Sequence, residues 1–172
     1  MEKYKKILCK WTQYETYELI YESEVDGYTS RSINMNINGK RNVMILIVSD
    51  NGSIFGCFNS FEIPKAQKED QWIIDDNDFF VFTLRNKQKT QPMKFTLKEG
   101  IEKSLVISPN TSRLWIIATH ACFGLKQMDK NYIANNFCEN YNCPSDITED
   151  IFVGCHFPST FIISKVYAIQ WN

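Results

Sequence analysis

The sequence predicts a mainly β domain: a two-layer antiparallel β-sandwich flanked by a few short helices. Three observations point there. First, Val43 to Val48 is a run of six apolar residues, rich in β-branched side chains and far too short to span a bilayer, which reads as a strand buried on both faces. Second, Asp50-Asn51-Gly52 follows it and Ser53 to Phe58 returns, with Ile54, Gly56 and Phe58 alternating against Ser53, Phe55 and Cys57; Gly52 supplies the positive φ of a tight hairpin. Third, about eight or nine short apolar runs are separated by turn residues, with little helical periodicity between them.

The bulk numbers fit one domain over residues 1–172, with 44% apolar and 14% aromatic residues, enough to hold a core without staples. A formal net charge of −1 gives no global attraction to nucleic acid or anionic membrane. No window is long and apolar enough for a membrane-spanning helix, and no signal-peptide core follows the charged N-terminus. The expectation is therefore a cytoplasmic chain whose six cysteines (9, 57, 122, 138, 143 and 155) stay as thiols.

Taken in order, residues 1–14 place Tyr4, Leu8 and Trp11 near helical spacing with lysines on the other side, an entry helix laid across the domain. Glu18 to Glu22 is a first strand, and Asp26-Gly27 turns the chain. Ser30 to Asn38 is ambiguous: Thr29 or Ser30 can cap a helix carrying Ile33 and Ile37, but the same stretch alternates like a strand. After the central hairpin, Asn59 to Asp78 is a long polar passage with one apolar island, Trp72-Ile73-Ile74. Asp78 to Leu84 is a strong strand, with Phe80, Phe82 and Leu84 on one face and Phe79 and Val81 on the other. Met93 to Leu97, Ser104 to Ile107, Arg113 to Thr119 and Cys122 to Leu125 add four strands. Lys126 to Asp150 is irregular and polar. Thr160 to Trp171 closes the chain as one long alternating run.

The chemistry-bearing residues assemble no familiar site. The seven glycines permit neither a G-x-G dinucleotide turn nor a phosphate-binding loop, and no serine elbow is present. His120 ends an apolar strand, and a Cys122 on the same side of that strand could pair with it, without an orienting third group. Cys138, Cys143, Cys155 and His156 form a C-x4-C-x11-C-H cluster that lacks the C-x2-C pair of common zinc modules. Cys57 and Cys122 are the candidates for redox chemistry, which would need a lowered thiol pKa. Five carboxylates between Glu69 and Asp78 read as a solvated loop. Arg85, Lys87, Lys89, Lys94 and Lys98 form a basic run that protects strand edges, and it lacks the interleaved aromatics of a nucleic-acid groove. No cofactor or metal follows from these patterns.

Several fragments, in this order, resemble the TLDc domain family. Leu19-Ile20-Tyr21 followed by Asp26-Gly27-Tyr28-Thr29 is similar to its opening signature, Val43 to Ile47 to its central strand, and Ile54 to Phe58 to its return strand. Asp78 to Leu84 looks like its phenylalanine-rich strand, and Arg113 to Leu125, with Phe123-Gly124, fits the later strand pair. The likeness is clear over residues 8–125. It is poor beyond: 126–159 is divergent and loop-rich, Ala134 to Cys138 lacks the family's G-x-S-x-x-C, and Tyr167 stands where relatives carry an acid. The resemblance implies the sandwich and settles Ser30 to Asn38 as helix. It also implies a non-catalytic interaction domain linked to protection against oxidative stress, with a subunit of the vacuolar proton-pumping ATPase as a protein partner. No catalytic residues come with it. Asp26, Gly27, Tyr28, Phe55, Gly56, Phe80, Phe82, Phe123 and Gly124 carry the signature in structural roles. Hardly any sequence flanks the domain, so a partner is expected on its own surface. A cysteine-based redox enzyme or peroxide scavenger and a stress-linked nucleic-acid-binding regulator are the alternatives.

Overall fold

A computed structural model describes residues 2–88, 90–127, 130–155 and 159–172. Two six-stranded antiparallel sheets face each other. The first runs β1 (Tyr17–Glu22), β12 (Ile163–Trp171), β2 (Val43–Ser49), β3 (Ile54–Asn59), β5 (Phe80–Arg85), β6 (Met93–Thr96). The second runs β11 (Thr160–Phe161), β10 (Asn131–Ile133), β9 (Phe123–Lys126), β8 (Trp115–Thr119), β7 (Lys103–Ile107), β4 (Gln71–Ile74). The helices are short: α1 (Glu2–Thr12), α2 (Ser23–Asp26), α3 (Ser30–Ile37), α4 (Phe137–Asn140) and α5 (Asp150–Val153).

The central hairpin explains the layering. Side chains of a strand alternate between faces, and β2 sends Val43, Ile45 and Ile47 into the main core between the sheets. Met44 and Leu46 point the other way into a second cluster. On β5 the split is as expected, with Val81 and the preceding Phe79 inside and Phe80, Phe82 and Leu84 outside. That outer apolar face needs a cover, and α1 supplies it through Leu8, Tyr4 and Trp11. Trp11 sits edge-on to Phe80, with ring centroids 6.2 Å apart. At the hairpin tip Gly52 has φ 80° and its N–H donates to Ser49 O at 3.0 Å.

Helix α3 forms where periodicity left two options. Thr29 is its N-cap: Thr29 Oγ1 accepts from Ser32 N–H, and Ser32 Oγ accepts from Thr29 N–H, a reciprocal pair that satisfies two end donors. Asn34 is fully buried and donates to Ser108 O and Asn110 Oδ1, tying α3 to the second sheet.

Four sequence expectations are corrected. Twelve strands form rather than eight or nine. The apolar island in the polar passage is edge strand β4, pairing with β7; only Ile73 points inward, so too little periodicity marks it. The closing run divides into β11 and β12 in different sheets, and a register shift between Ile163 and Lys165 breaks the alternation, so Ile163 shares the inner face with Val166 and Ala168. Lys126 to Asp150 is not a purely polar irregular stretch: it supplies β10, α4 and the start of α5, and buries Ile133, Phe137 and Tyr141, with Phe152 just beyond it.

Candidate functional site

Phe55, Phe80, Phe82 and Phe123 of the signature are buried in the core, whereas Asp26 and Gly27 form an exposed turn and Tyr28 is half-buried. Phe55 and Phe123 meet edge-to-face between the sheets at 5.8 Å. Asp26 accepts from Glu22 N–H at 2.8 Å. Gly27, at φ 90°, presents its carbonyl to the Tyr21 hydroxyl at 2.9 Å, and the Tyr28 hydroxyl reaches Asn131 Oδ1. A Cβ on Gly56 would lie 1.9 Å from the Ile45 carbonyl oxygen on the neighbouring strand. Its need is thus close approach of two strands within one sheet, not close packing of sheets. Over Gly124 lie the rings of Trp115 and Tyr132, each 2.7 Å from where a Cβ would stand. Phe80 and Phe82 form the floor on which α1 rests.

The redox candidates are sealed. Cys57 and Cys122 are 0% and 1% exposed. Burial is the largest cause pushing both thiols well above their ordinary range, so at neutral pH they are thiols and not thiolates. Burial likewise holds Tyr21 up to about 12. His120 does not share a strand face with Cys122. His120 and Ala121 make the turn between β8 and β9, with Ala121 at φ 45°, and the His120 ring meets Asn140 Oδ1 at 3.1 Å. Of the C-x4-C-x11-C-H cluster, His156 lies outside the described residues. Cys155 is exposed and Cys138 and Cys143 are half-buried, with Cys138 Sγ donating to Ile147 O at 3.3 Å. Among the described residues no group of three or more His, Cys, Asp or Glu side chains is arranged to hold a metal ion.

Cys138, within α4, and Cys143, just beyond it, are free thiols; the C-x4-C spacing leaves both zinc ligation and partly buried thiols open, and the second is what the structure holds. The Lys98 ammonium donates to Cys138 O at 2.8 Å and lowers the Cys143 thiol against the larger upward push of burial and Cys138. The acidic loop also differs from expectation. Asp76 is not solvated: it is buried and accepts from Ser60 N–H and hydroxyl, Phe61 N–H and Asp78 N–H. Of the basic run, Arg85, Lys87, Lys94 and Lys98 are exposed on β5, β6 and the turns beside them; Lys89 lies outside the described residues.

A two-sheet sandwich with an entry helix on one face and its signature phenylalanines in the core is a scaffold class, organised around packing. Residues 2–159 match the family model described as TLDc domain, and the chain belongs to that family. The matched region reaches through 126–159 and ends before β12, although β12 lies inside the first sheet between β1 and β2. A comparison with curated proteins finds no match.

Proposed function

We propose that this chain is a non-catalytic protein-interaction domain that serves protection against oxidative stress, with a subunit of the vacuolar proton-pumping ATPase as its partner. Membership of the TLDc family is the observation that carries the reading. It is supported by the use made of the candidate nucleophiles, since Cys57 and Cys122 pack in the core as protonated thiols. The test is affinity capture with the full chain under normal and peroxide-stressed conditions. Pump subunits enriched over a mock capture are the expected result; no specific protein enriched would overturn the reading.

A second reading, thiol redox chemistry, is favoured by one observation. Cys138 and Cys143 are free, half-buried thiols within electrostatic reach of each other and of the Lys98 ammonium, which donates to Cys138 O at 2.8 Å. Maleimide titration across pH separates it from the first reading. Labelling of either cysteine below neutral pH supports redox chemistry, and labelling only in the alkaline range removes it.

A further inference from the structure

We propose that the exposed side of α1 and the adjoining β5–β6 end form a docking face for an acidic segment of a protein partner, with a carboxylate seated between Lys3 and Arg85. The inference rests on the interaction reading above and gives the chemistry of the partner.

Lys3, Lys6 and Lys10 are exposed along α1 at i, i+3 and i+7. Arg85 ends β5, Lys87 follows it in the turn, and Lys94 lies on β6; all three are exposed. Glu2 is the only carboxylate of α1. Among the described residues none of these six cations forms an ion pair: the ion pairs found use Lys40, Arg41 and Lys165. In a chain of formal net charge −1, Lys3 and Arg85 meet at one cavity without a paired acid, with further lysines along α1 and at the ends of β5 and β6, and this concentrates positive field there. Lys3 also sits in the first turn of α1, where the helix dipole adds to that field.

The field has a receptacle. A cavity of about 480 Å³ opens between α1 and the end of β5, with Lys3 and Arg85 on its walls and Tyr4, Leu84 and Pro92 supplying apolar surface. Among the described residues none that lines it is acidic. A planar carboxylate suits the Arg85 fork, and the apolar wall suits the methylenes that carry it.

The occupant follows from what the face lacks. A lipid surface takes up exposed apolar side chains, but Leu8 is buried and Tyr4 and Trp11 pack on the first sheet. None of the large exposed hydrophobics belongs to α1, β5 or β6. Single-stranded nucleic acid wants free stacking rings, whereas Phe80 and Phe82 are buried and Lys94 Nζ caps Phe80 at 4.8 Å from its centroid.

The test uses the full chain and a fluorescein-labelled peptide of alternating Glu and Leu, read by anisotropy. Phosphatidylserine vesicles and a dT20 oligonucleotide are the competing probes. The double variant Lys3→Glu, Arg85→Glu is expected to weaken peptide binding at least about tenfold, and added salt to weaken wild-type binding. Lys65→Glu, Lys68→Glu, an equal charge change at two exposed positions of the connection between β3 and β4, leaves binding unchanged. Equal loss in both variants, no peptide binding, or tighter binding of vesicles or dT20 overturns the proposal. An unchanged melting temperature in the double variant shows that the loss is not one of folding; Lys3→Glu also places an acid where the helix dipole favours it. If pump subunits are captured equally by both variants, the acidic-segment face falls and the interaction reading stands. If the peptide binds as described and no specific protein is captured, the face stands and the interaction reading falls.

Discussion

Gly56 shows how one residue can carry a whole sheet. Because a side chain there would run into the Ile45 carbonyl at 1.9 Å, Gly56→Val forces β2 and β3 apart. The cost expected is about 3 kcal/mol or more, at the top of the usual range for overpacking, measured by urea denaturation; unchanged stability would mean that the two strands do not approach as described. Asp76 works in the opposite sense, as a buried polar group that must be present. Asp76→Ala leaves the Ser60 and Asp78 N–H donors without an acceptor, at a cost of about 2–3 kcal/mol. The buried thiols set a pH limit. A folded-state pKa raised above the unfolded value gives stability that is complete below the unfolded value and is lost as pH rises. For Cys57 and Cys122 the loss therefore begins above about pH 8.5. Tyr21, held up to about 12, adds to it above pH 10. The melting temperature should be level from pH 7 to 8 and fall steadily by pH 10. The double variant Cys57→Ala, Cys122→Ala should flatten the thiol part of that fall, and a level wild-type curve to pH 10 would contradict it.

At the scale of elements, local pattern sufficed wherever one face was buried and the run was long enough. The β5 alternation separated Phe80, Phe82 and Leu84 from Phe79 and Val81, and both groups pack as their parity requires. Helix α1 was legible for the same reason, and its cover of the first sheet is testable: Leu8→Ala should cost about 2–5 kcal/mol and loosen Trp11 against Phe80, read from denaturation and tryptophan emission. Short elements were not legible. In β4 and β10, strands of four and three residues, too few positions repeat for a period to emerge. Helix α3 was ambiguous by period and is decided by its cap, since the Thr29–Ser32 exchange satisfies end groups that a strand would have to pair elsewhere. The register shift in β12 was hidden because Ile163 is apolar on either parity. Helix α5 is held by carbonyl contacts from a distance: Asn86 donates to Ile151 O at 3.1 Å and Asn51 to Val153 O at 3.0 Å. Asn86→Ala should speed amide exchange over residues 150–154, and unaltered exchange there would show that the clasp does not hold the helix.

For the molecule as a whole, the two-layer fold was readable because so many side chains commit to one of two buried faces. The site was far less so. Chemistry announces itself in sequence when reactive residues stand at fixed spacings, and here folding decides what the cysteines do: Cys57 and Cys122 are sealed in the packed interior and Cys138 and Cys143 are half-buried around α4. Surface charge was visible as a run from Arg85 to Lys98, but Lys3, some eighty residues earlier in the chain, shares a cavity with Arg85 only once β5 and α1 are packed. The fold therefore spends many of its aromatic residues on holding two sheets and one helix together. The most direct test of that account is to mix the full chain with vesicles bearing assembled vacuolar proton pump and assay the sedimented and supernatant fractions. The account predicts that the chain binds the pump's peripheral sector or releases it into the supernatant, with proton transport falling in step. A chain that leaves both the pump's subunit distribution and its transport unchanged at excess concentration would contradict it.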